Sequence, residues 1–134
     1  MKDFSLTIVT PDGLLFDGKA QELIVRTTTG DLGILAGHVN CVAPLGMGLA
    51  TIVVDGQKRY GACIGGMVSV LNGQVKLVPT TFEWSEQIDT ARAALSENRA
   101  RTVLADKSAS DTELRLAEAR LKRALVRKSV AGYK

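Results

Sequence analysis

The types of amino acid in the chain change abruptly near Trp84, and this change limits the folds that it can adopt. Residues 1–84 contain twelve of the thirteen glycines, all three prolines and every aromatic residue except Tyr133, whereas residues 85–134 consist mainly of Ala, Leu, Arg and Glu. The first set favours strands and turns, and the second favours helix. The sequence therefore predicts a mainly β plus α fold, with β structure in 1–84 and helices in 85–134. With 134 residues, the chain is too short for a multidomain enzyme.

The glycine-rich segment predicts a succession of short strands. Asp55-Gly56 and Asn72-Gly73 each separate two predicted strands, and both dipeptides accept the positive φ of a tight hairpin turn. Pro11-Asp12-Gly13 and Asp17-Gly18 predict two further turns. Short strands at about 8–12 residue spacing are typical of a sandwich or a barrel. Six runs between turn residues predict strands, and all but Lys58 to Tyr60 are rich in apolar and β-branched residues: 4–9, 22–26, 49–54, 58–60, 66–71 and 74–78.

The second segment predicts two helices joined by a short break. The first spans about Ser85 to Leu104, because apolar residues follow a helical period there and neither Gly nor Pro interrupts it. The break is Asp106 to Ala109, and Ser110 with Glu113 forms a capping box at the start of the second helix. Such a short connection predicts an antiparallel hairpin. The second helix carries one predicted apolar seam: Leu114, Ala117, Leu121, Ala124 and Leu125.

Charge is divided unevenly between the two segments. Residues 1–84 hold six Lys or Arg against seven Asp or Glu, and residues 85–134 hold eleven against seven. Net charges of −1 and +4 therefore make up the total of +3. An anionic partner is expected at the second segment.

Cysteine usage and the N-terminal sequence predict a cytosolic chain. Cys41 and Cys63 lack the spacing of a metal site or a disulfide framework, so we expect buried thiols in a reducing compartment. The N-terminus has no continuous apolar run typical of a signal peptide. Residues 32–54 carry no charged side chain over a length that could cross a membrane, but five glycines and prolines divide them into shorter pieces typical of strands and loops.

The sequence contains no motif of a known catalytic or metal site. A phosphate-binding loop, a dinucleotide fingerprint, a nucleophile elbow and a zinc-protease motif are all missing. His38 is the only histidine, and a general base needs a nucleophile and an orienting partner that the sequence does not identify. A small enzyme using His38 or Cys41 is therefore one alternative, without supporting motifs. We predict no catalytic residue and no metal ligand.

Arginines in the second segment form its most informative chemical feature. A hairpin that turns near Lys107 would place Arg92 opposite about residue 122 and Arg99 opposite about residue 115, so several guanidinium groups converge. Two groups of residues each lie near one helical face: Asp89, Arg92, Ala93 and Arg99 at offsets 0, 3, 4 and 10, and Arg123 with Arg127 at i, i+4.

Two explanations of these arginines remain open. A bound polyphosphate would relieve their mutual repulsion, because guanidinium forks match phosphate oxygens. In that case Ala93 leaves room for a flat group, and Asp89 or Glu83 can accept hydrogen bonds from amino or hydroxyl groups. The alternative is a solvated helix surface whose arginines pair with neighbouring acids: Glu86, Glu97 and Glu118.

Several motifs resemble those of one known family along nearly the whole chain. The resemblance is to the epsilon subunits of bacterial F-type ATP synthases, and its most specific part is the loop 32–38. It implies an N-terminal β-sandwich followed by a C-terminal antiparallel two-helix hairpin. The matching motifs are Thr10-Pro-Asp-Gly13, Gly30-Asp-Leu-Gly-Ile-Leu-Ala-Gly-His38, Ala43-Pro-Leu45, Gly65-Gly66 and the Ala/Arg-rich tail.

The resemblance implies a non-catalytic rotor subunit with protein partners. In the family, the sandwich binds the gamma subunit and rests on the ring of c subunits, and so couples proton translocation to ATP synthesis. The hairpin extends toward the catalytic alpha and beta subunits and inhibits ATP hydrolysis. The family location is the cytoplasmic face of the bacterial plasma membrane, where the subunit is peripheral. No nucleic-acid partner is implied.

The resemblance also implies ATP as a regulatory ligand of the hairpin. Some members bind ATP through an Ile/Leu-Asp-x-x-Arg-Ala motif, which here is Ile88, Asp89, Arg92 and Ala93. Leu116 stands where one such member has a basic residue. A rotor subunit that binds no nucleotide is the principal alternative, and a basic nucleic-acid-binding module is another, although its tail lacks stacking aromatics apart from Tyr133. Further positions implicated in nucleotide contact are Glu83, Arg99, Arg123 and Arg127.

Overall fold

The fold of the chain is described by a computed structural model covering residues 2–133. Met1 and Lys134, the outer ends of the two predicted segments, lie outside the described residues. Ten strands precede a 3₁₀ turn at Ser85–Gln87 and two helices. The helices are α1 (Thr90–Ala105) and α2 (Asp111–Ala131). The strands are β1 (Phe4–Thr10), β2 (Gly13–Ala20), β3 (Glu22–Thr27), β4 (Gly30–Ile34), β5 (Cys41–Pro44), β6 (Met47–Val54), β7 (Gln57–Ile64), β8 (Met67–Leu71), β9 (Gln74–Val78) and β10 (Thr81–Trp84).

The strands form two five-stranded sheets that enclose one apolar core. One sheet has the order β2-β1-β9-β8-β5 and the other the order β10-β7-β6-β3-β4. Among the described strands only β1 and β9 pair in parallel, and the other strand pairs are antiparallel. The predicted fold, a β-sandwich followed by a helical hairpin, is confirmed.

Alternation of side chains explains how the strands supply this core. In β1 every second residue is buried, with Leu6 and Ile8 completely enclosed, because successive side chains of a strand point to opposite faces. Leu77 on β9 and Leu23 on β3 contribute in the same way from the two sheets. Burial of each such side chain stabilises the fold by about 1.5–3 kcal/mol.

Both predicted hairpin turns are confirmed, and one of the other two predicted turns is wrong. Asp55-Gly56 and Asn72-Gly73 connect antiparallel strands with positive φ at both residues. Asp17-Gly18 instead lies inside β2, where the two residues pair with Thr7 and Leu6 of β1. Pairing with β1 therefore overrides the turn preference of this dipeptide. Residues 32–54, whose composition also suited a membrane span, lie mainly in strands of the sandwich.

The helix boundaries agree with the prediction at one helix and differ at the other. The Ser110–Glu113 capping box at the start of α2 is confirmed, with the Glu113 amide donating to Ser110 Oγ at 3.1 Å. The first helix begins at Thr90 rather than Ser85, because Asp89 Oδ1 accepts a hydrogen bond from the Arg92 amide at 3.0 Å and so caps the helix there. Within residues 2–133, neither helix combines the length and hydropathy that crossing a membrane requires.

Small side chains, rather than the predicted leucines, occupy the closest part of the helix pair. Leu125 of the predicted seam is exposed, and Leu114 and Leu121 are only half-buried. Seven-residue spacing keeps a residue on nearly the same helical face, so the alanines allow the two backbones to approach closely. The buried residues recur at this spacing on both helices: Ala93 and Ala100 on α1, and Ala117 and Ala124 on α2.

The hairpin is folded against the sandwich, and α2 makes most of the contact. It packs on β6, β7 and the 3₁₀ turn. Val130 is 1% exposed, and the ring of Tyr133 lies 5.1 Å from that of Tyr60 on β7. The last turns of α2 therefore dock the hairpin through apolar and aromatic contacts.

A carboxylate on α1 links the two helices of the hairpin through ion pairs. Lys128 Nζ donates to Glu97 Oε1 at 2.6 Å, and Arg101 Nε donates to Oε2 at 2.9 Å. The hydrogen bond from Lys128 and then that from Arg101 hold the pKa of Glu97 below its ordinary value of 4.5. Glu97 thus belongs to an ion pair network, as the salt-bridged explanation predicted for this residue.

We expect the network to make hairpin stability depend on pH below about 5. Because the folded pKa of Glu97 is depressed, its stabilising contribution is present above the unfolded pKa and is lost as the pH falls through the folded pKa. Glu97→Gln should lower the thermal stability of the helices at pH 7. It should also make the stability that remains less sensitive to a fall in pH. Thermal melts followed by circular dichroism at pH 7 and pH 4 measure both effects. Glu118→Gln, at an exposed position, is the control. Equal acid dependence in the two variants would contradict the expectation.

Candidate functional site

A cavity of about 470 Å³ lies where the start of α1 and the last turns of α2 meet the sandwich. Five of the eight predicted site residues line it, from the last strand and from both helices. They are Glu83, Asp89, Arg92, Ala93 and Arg127. The structure thus brings together residues separated by up to 44 positions in sequence.

Local structure explains how the side chains reach this cavity. Phe82 and Trp84 point into the core of the sandwich, so Glu83 between them points outward by strand alternation. Asp89 stands at the N-cap of α1, one turn from Arg92 and Ala93. Asp89 therefore combines a capping role with a place in the cavity lining; the sequence predicted Asp89 as a site residue but not as the cap of the helix.

A close ion pair joins the two sides of the cavity. Arg127 Nε donates to Glu83 Oε1 at 2.6 Å, and both side chains remain partly accessible. Among the described residues, no carboxylate lies within 4.0 Å of the Arg92 guanidinium nitrogens. The cavity consequently offers one guanidinium group that pairs with the sandwich and one that is available to a ligand.

The other three predicted residues lie outside this cavity. Ile88 is half-buried just before α1 and does not line it. Arg123 lines a second cavity of about 520 Å³ beside the sandwich, with apolar neighbours such as Leu45 and Ile64, and Arg127 borders both cavities. Arg99 lies two turns beyond Arg92, in a groove between the helices. Seven of the eight residues are therefore distributed over three neighbouring spaces, and Ile88 lines none of them.

Some residues of the cavity lining were not predicted from the sequence. Ser96 follows Arg92 by four residues, so the helical period could have identified it. Thr10 ends β1 and Asp12 lies in the β1–β2 turn, and only the tertiary structure brings this part of the chain beside α1. No local sequence signal would have identified these two.

The residues considered for a small enzyme have no catalytic arrangement within the described chain. Nδ1 of His38 lies 2.8 Å from the carbonyl oxygen of its neighbour Val39, and no side chain of the described residues hydrogen-bonds to His38. Cys41 is half-buried rather than buried, whereas Cys63 is buried as predicted. Burial raises the pKa of the Cys63 thiol to about 12, so it is protonated at neutral pH. Among residues 2–133, no group of three or more His, Cys, Asp or Glu could hold a metal ion.

The sandwich matches a known family of sequences. Residues 3–85 match the family described as ATP synthase, Delta/Epsilon chain, beta-sandwich domain. Similarity to individual proteins extends through the helices. The chain is 42% identical over 132 residues to an ATP synthase epsilon chain of Bacillus velezensis, covering 98% of this chain and 99% of that protein. It is also 42% identical to the epsilon chain of Ruminococcus albus over the full length of both proteins.

Two solved assemblies contain chains with the same fold. One is the OSCP/F1/c-ring assembly of the Euglena gracilis mitochondrial ATP synthase, with a TM-score of 0.83 and 24% identity over 95% of this chain and 80% of that chain. The other is the central stalk/c-ring of the Tetrahymena thermophila enzyme, with a TM-score of 0.61 and 15% identity over 97% of both chains. At these identities the likeness concerns the fold.

Proposed function

Because this chain belongs to the family of ATP synthase epsilon chains, we propose that it is a non-catalytic subunit of the central rotor of an F-type ATP synthase. Alignment at 42% identity over nearly the whole of both sequences supports this proposal. The fold supports it as well, since both similar solved chains come from ATP synthase assemblies that include the c-ring. The subunit then couples proton translocation to ATP synthesis mechanically and performs no chemistry itself.

The two parts of the chain have separate proposed roles in that complex. The sandwich binds the gamma subunit and the c-ring, and the hairpin extends toward the alpha and beta subunits to inhibit ATP hydrolysis. The location is peripheral, at the cytoplasmic face of the bacterial plasma membrane. In the structure the hairpin lies folded against the sandwich through α2, with Tyr133 packed on Tyr60 just beyond its end, so the extended form requires these contacts to break.

ATP is the proposed regulatory ligand of the folded hairpin. The observation that carries this proposal is the cavity in which Asp89, Arg92 and Ala93 of α1 meet Arg127 of α2 and Glu83 of β10. Guanidinium groups bind phosphate oxygens in a bidentate way, while the small Ala93 leaves room for a base. The cavity needs all three elements in place, so its ligand should favour the folded hairpin.

The regulatory effect follows from mass action. A ligand that binds only the folded hairpin stabilises it by RT ln(1 + [L]/Kd), which is about 2.7 kcal/mol when the ligand is at about 100 times its Kd. A fall in ATP concentration then releases the hairpin into its extended, inhibitory form. The difference in ATP affinity between the folded and the extended hairpin is sufficient to shift the equilibrium between them.

Loss of Arg92 is expected to weaken ATP binding by about 10- to 100-fold, because a hydrogen bond to a charged group contributes about 1.5–3 kcal/mol. Calorimetric titration of wild type and Arg92→Ala with ATP, with and without Mg²⁺, measures the change. Arg115→Ala is the matched control, since Arg115 is exposed on α2 and lines none of the cavities described above. Unchanged affinity in Arg92→Ala would contradict the assignment. No binding by wild type at millimolar ATP would instead favour a rotor subunit whose hairpin responds only to its partner subunits.

A further inference from the structure

The contact between the hairpin and the sandwich is concentrated in the last turns of α2. The spaces that α2 and the sandwich enclose together are bordered on the helix side by residues 123–133. Farther along the hairpin, the groove between the helices is lined by helix residues alone. Because α1 packs chiefly on α2, the C-terminal end of α2 is the part of the hairpin that holds the folded form in place.

The outer face of β7 receives this end of α2. A Cβ atom at Gly61 would overlap the Phe82 ring, and Cys63 belongs to the apolar core, so both residues lie on the core side of the strand. By strand alternation, Tyr60 and Ala62 point to the opposite side. Ala62 is nevertheless only 1% exposed, because the hairpin that packs on β7 covers it. Release of α2 would therefore expose Ala62 to solvent.

Tyr133 extends the apolar face of α2 beyond its last helical residue. The Tyr133 amide donates to the Val130 carbonyl oxygen at 2.9 Å, so the helical path continues and Tyr133 lies three residues beyond the buried Val130 on one face. Its ring centroid lies 5.1 Å from that of Tyr60 at an interplanar angle of 45°, a separation at which aromatic rings attract each other. The two tyrosines thus join the end of α2 to β7.

The ring of Tyr133 is only partly enclosed. Tyr133 is 43% exposed and borders two spaces, of about 300 Å³ and about 250 Å³. Tyr60 is half-buried, and neither tyrosine belongs to the apolar core of the sandwich. Separation of the two rings therefore leaves the core of the sandwich intact.

The segment that joins the sandwich to α1 is fixed by other contacts. Arg59 Nη2 donates to Glu86 Oε1 at 2.9 Å, and the Arg59 guanidinium group lies 3.7 Å from the centre of the Trp84 ring. Arg59 thus holds the 3₁₀ turn against the end of β10. Residues 88–89, between this turn and α1, have extended backbone conformations. The hairpin can turn about these two residues once Tyr133 is free.

We propose that Tyr60 and Tyr133 form a latch that sets how often the hairpin leaves the sandwich, independently of any nucleotide. The inference rests on the proposed function, in which the folded hairpin extends, and it adds a point of control at the end of α2. Because the two rings meet only in the folded form, removal of either ring lowers the ratio of folded to detached hairpin. The latch and a ligand of the folded hairpin then act additively on one equilibrium.

Thiol labelling of a cysteine placed beneath α2 tests the latch. Ala62→Cys provides the reporter, in a chain that also carries Cys41→Ala and Cys63→Ala, and its labelling rate is proportional to the fraction of detached hairpin. Without nucleotide, Tyr133→Ala should be labelled at least about fivefold faster than the reporter chain, because the aromatic pair and its buried area are lost. Tyr133→Phe keeps the ring and should stay within about twofold of the reporter chain.

Two controls separate the latch from a general loss of stability. Leu95→Ala removes a large exposed side chain from α1 and should leave the labelling rate unchanged. In a chain that carries Tyr60→Ala, the further change Tyr133→Ala should have little effect, because its partner ring is already missing. Unchanged Trp84 fluorescence establishes that the sandwich of each variant is folded. An unchanged rate in Tyr133→Ala, an equal acceleration by Tyr133→Phe, or an undiminished effect beside Tyr60→Ala would overturn the proposal.

The latch and the inhibitory role of the hairpin are tested separately. Labelling is measured on the isolated chain without ATP, so its result depends neither on nucleotide binding nor on partner subunits. ATP hydrolysis by an assembled complex that carries Tyr133→Ala measures inhibition. Faster labelling together with unaltered hydrolysis would support the latch and contradict the proposed inhibition, whereas unaltered labelling overturns the latch whatever the rate of hydrolysis.

Discussion

Replacement of Gly66 by alanine is expected to lower the free energy of unfolding of the sandwich by about 3–5 kcal/mol. Gly66 has a φ of +96°, and a Cβ atom there would overlap the Val78 carbonyl oxygen and lie 2.7 Å from Pro79 Cα. The backbone has little freedom to move away, because the Gly66 carbonyl oxygen also accepts a hydrogen bond from the Leu45 amide at 2.8 Å. Backbone strain and overlap with backbone atoms therefore add.

Gly73→Ala separates these two contributions. Gly73 has a φ of +78°, but a Cβ atom added there meets nothing within 4 Å. The free energy of unfolding of this variant should fall only by the cost of the left-handed conformation, about 1–2 kcal/mol. Urea unfolding followed by the fluorescence of Trp84, which is buried in the sandwich, reports both values. Equal destabilisation by the two substitutions would show that overlap at Gly66 is relieved at no cost.

Replacement of Ala124 by leucine is expected to separate the two helices of the hairpin. Ala124 is 1% exposed in the seam where α2 meets α1, and three added carbon atoms have no space there. Overpacking of this kind costs about 1–3 kcal/mol. The effect on α1 should be large, because that helix packs chiefly on α2. An isolated 16-residue helix is marginal in water, so α1 should lose much of its helical structure.

Amide hydrogen exchange measured by mass spectrometry reports this loss element by element. In Ala124→Leu, the amides of α1 should exchange at least about tenfold faster, whereas those of the buried strands keep the protection of wild type. Ala91→Leu makes the same chemical change at an exposed position of α1 and should leave exchange unaltered. Slow exchange of α1 in Ala124→Leu would contradict close packing at the alanine seam.

Local sequence signals predicted the elements that depend on neighbouring residues. Asn72-Gly73 forms the expected hairpin because the two residues accept the positive φ that the turn imposes. Ser110 and Glu113 begin α2 because their side chains satisfy exposed amides of the same helix turn. The turn predicted at Asp17-Gly18 is wrong because the conformation of these residues depends on pairing with β1, whose paired residues lie ten or more positions earlier in the sequence.

The candidate site was only partly predictable from the sequence. The helical period identified Arg92, Ala93 and Arg99 as neighbours along α1, and this relation holds because it is a property of one helix. The distribution of the arginines between cavities depends on how α2 lies against α1 and the sandwich. The ion pair of Arg127 with Glu83 joins residues 44 positions apart, and no local pattern encodes it.

The sequence by itself determined the two-part architecture, because the change from turn-forming and aromatic residues to helix-forming residues near Trp84 acts through local conformational preference. Only the tertiary structure decided that alanines occupy the closest part of the helix seam and that Arg99 and Arg120 border one groove between the helices. The physical reason is that helix register is set by the packing of whole faces, in which small side chains allow the closest approach. The positions of the charged side chains on those faces then follow from this packing.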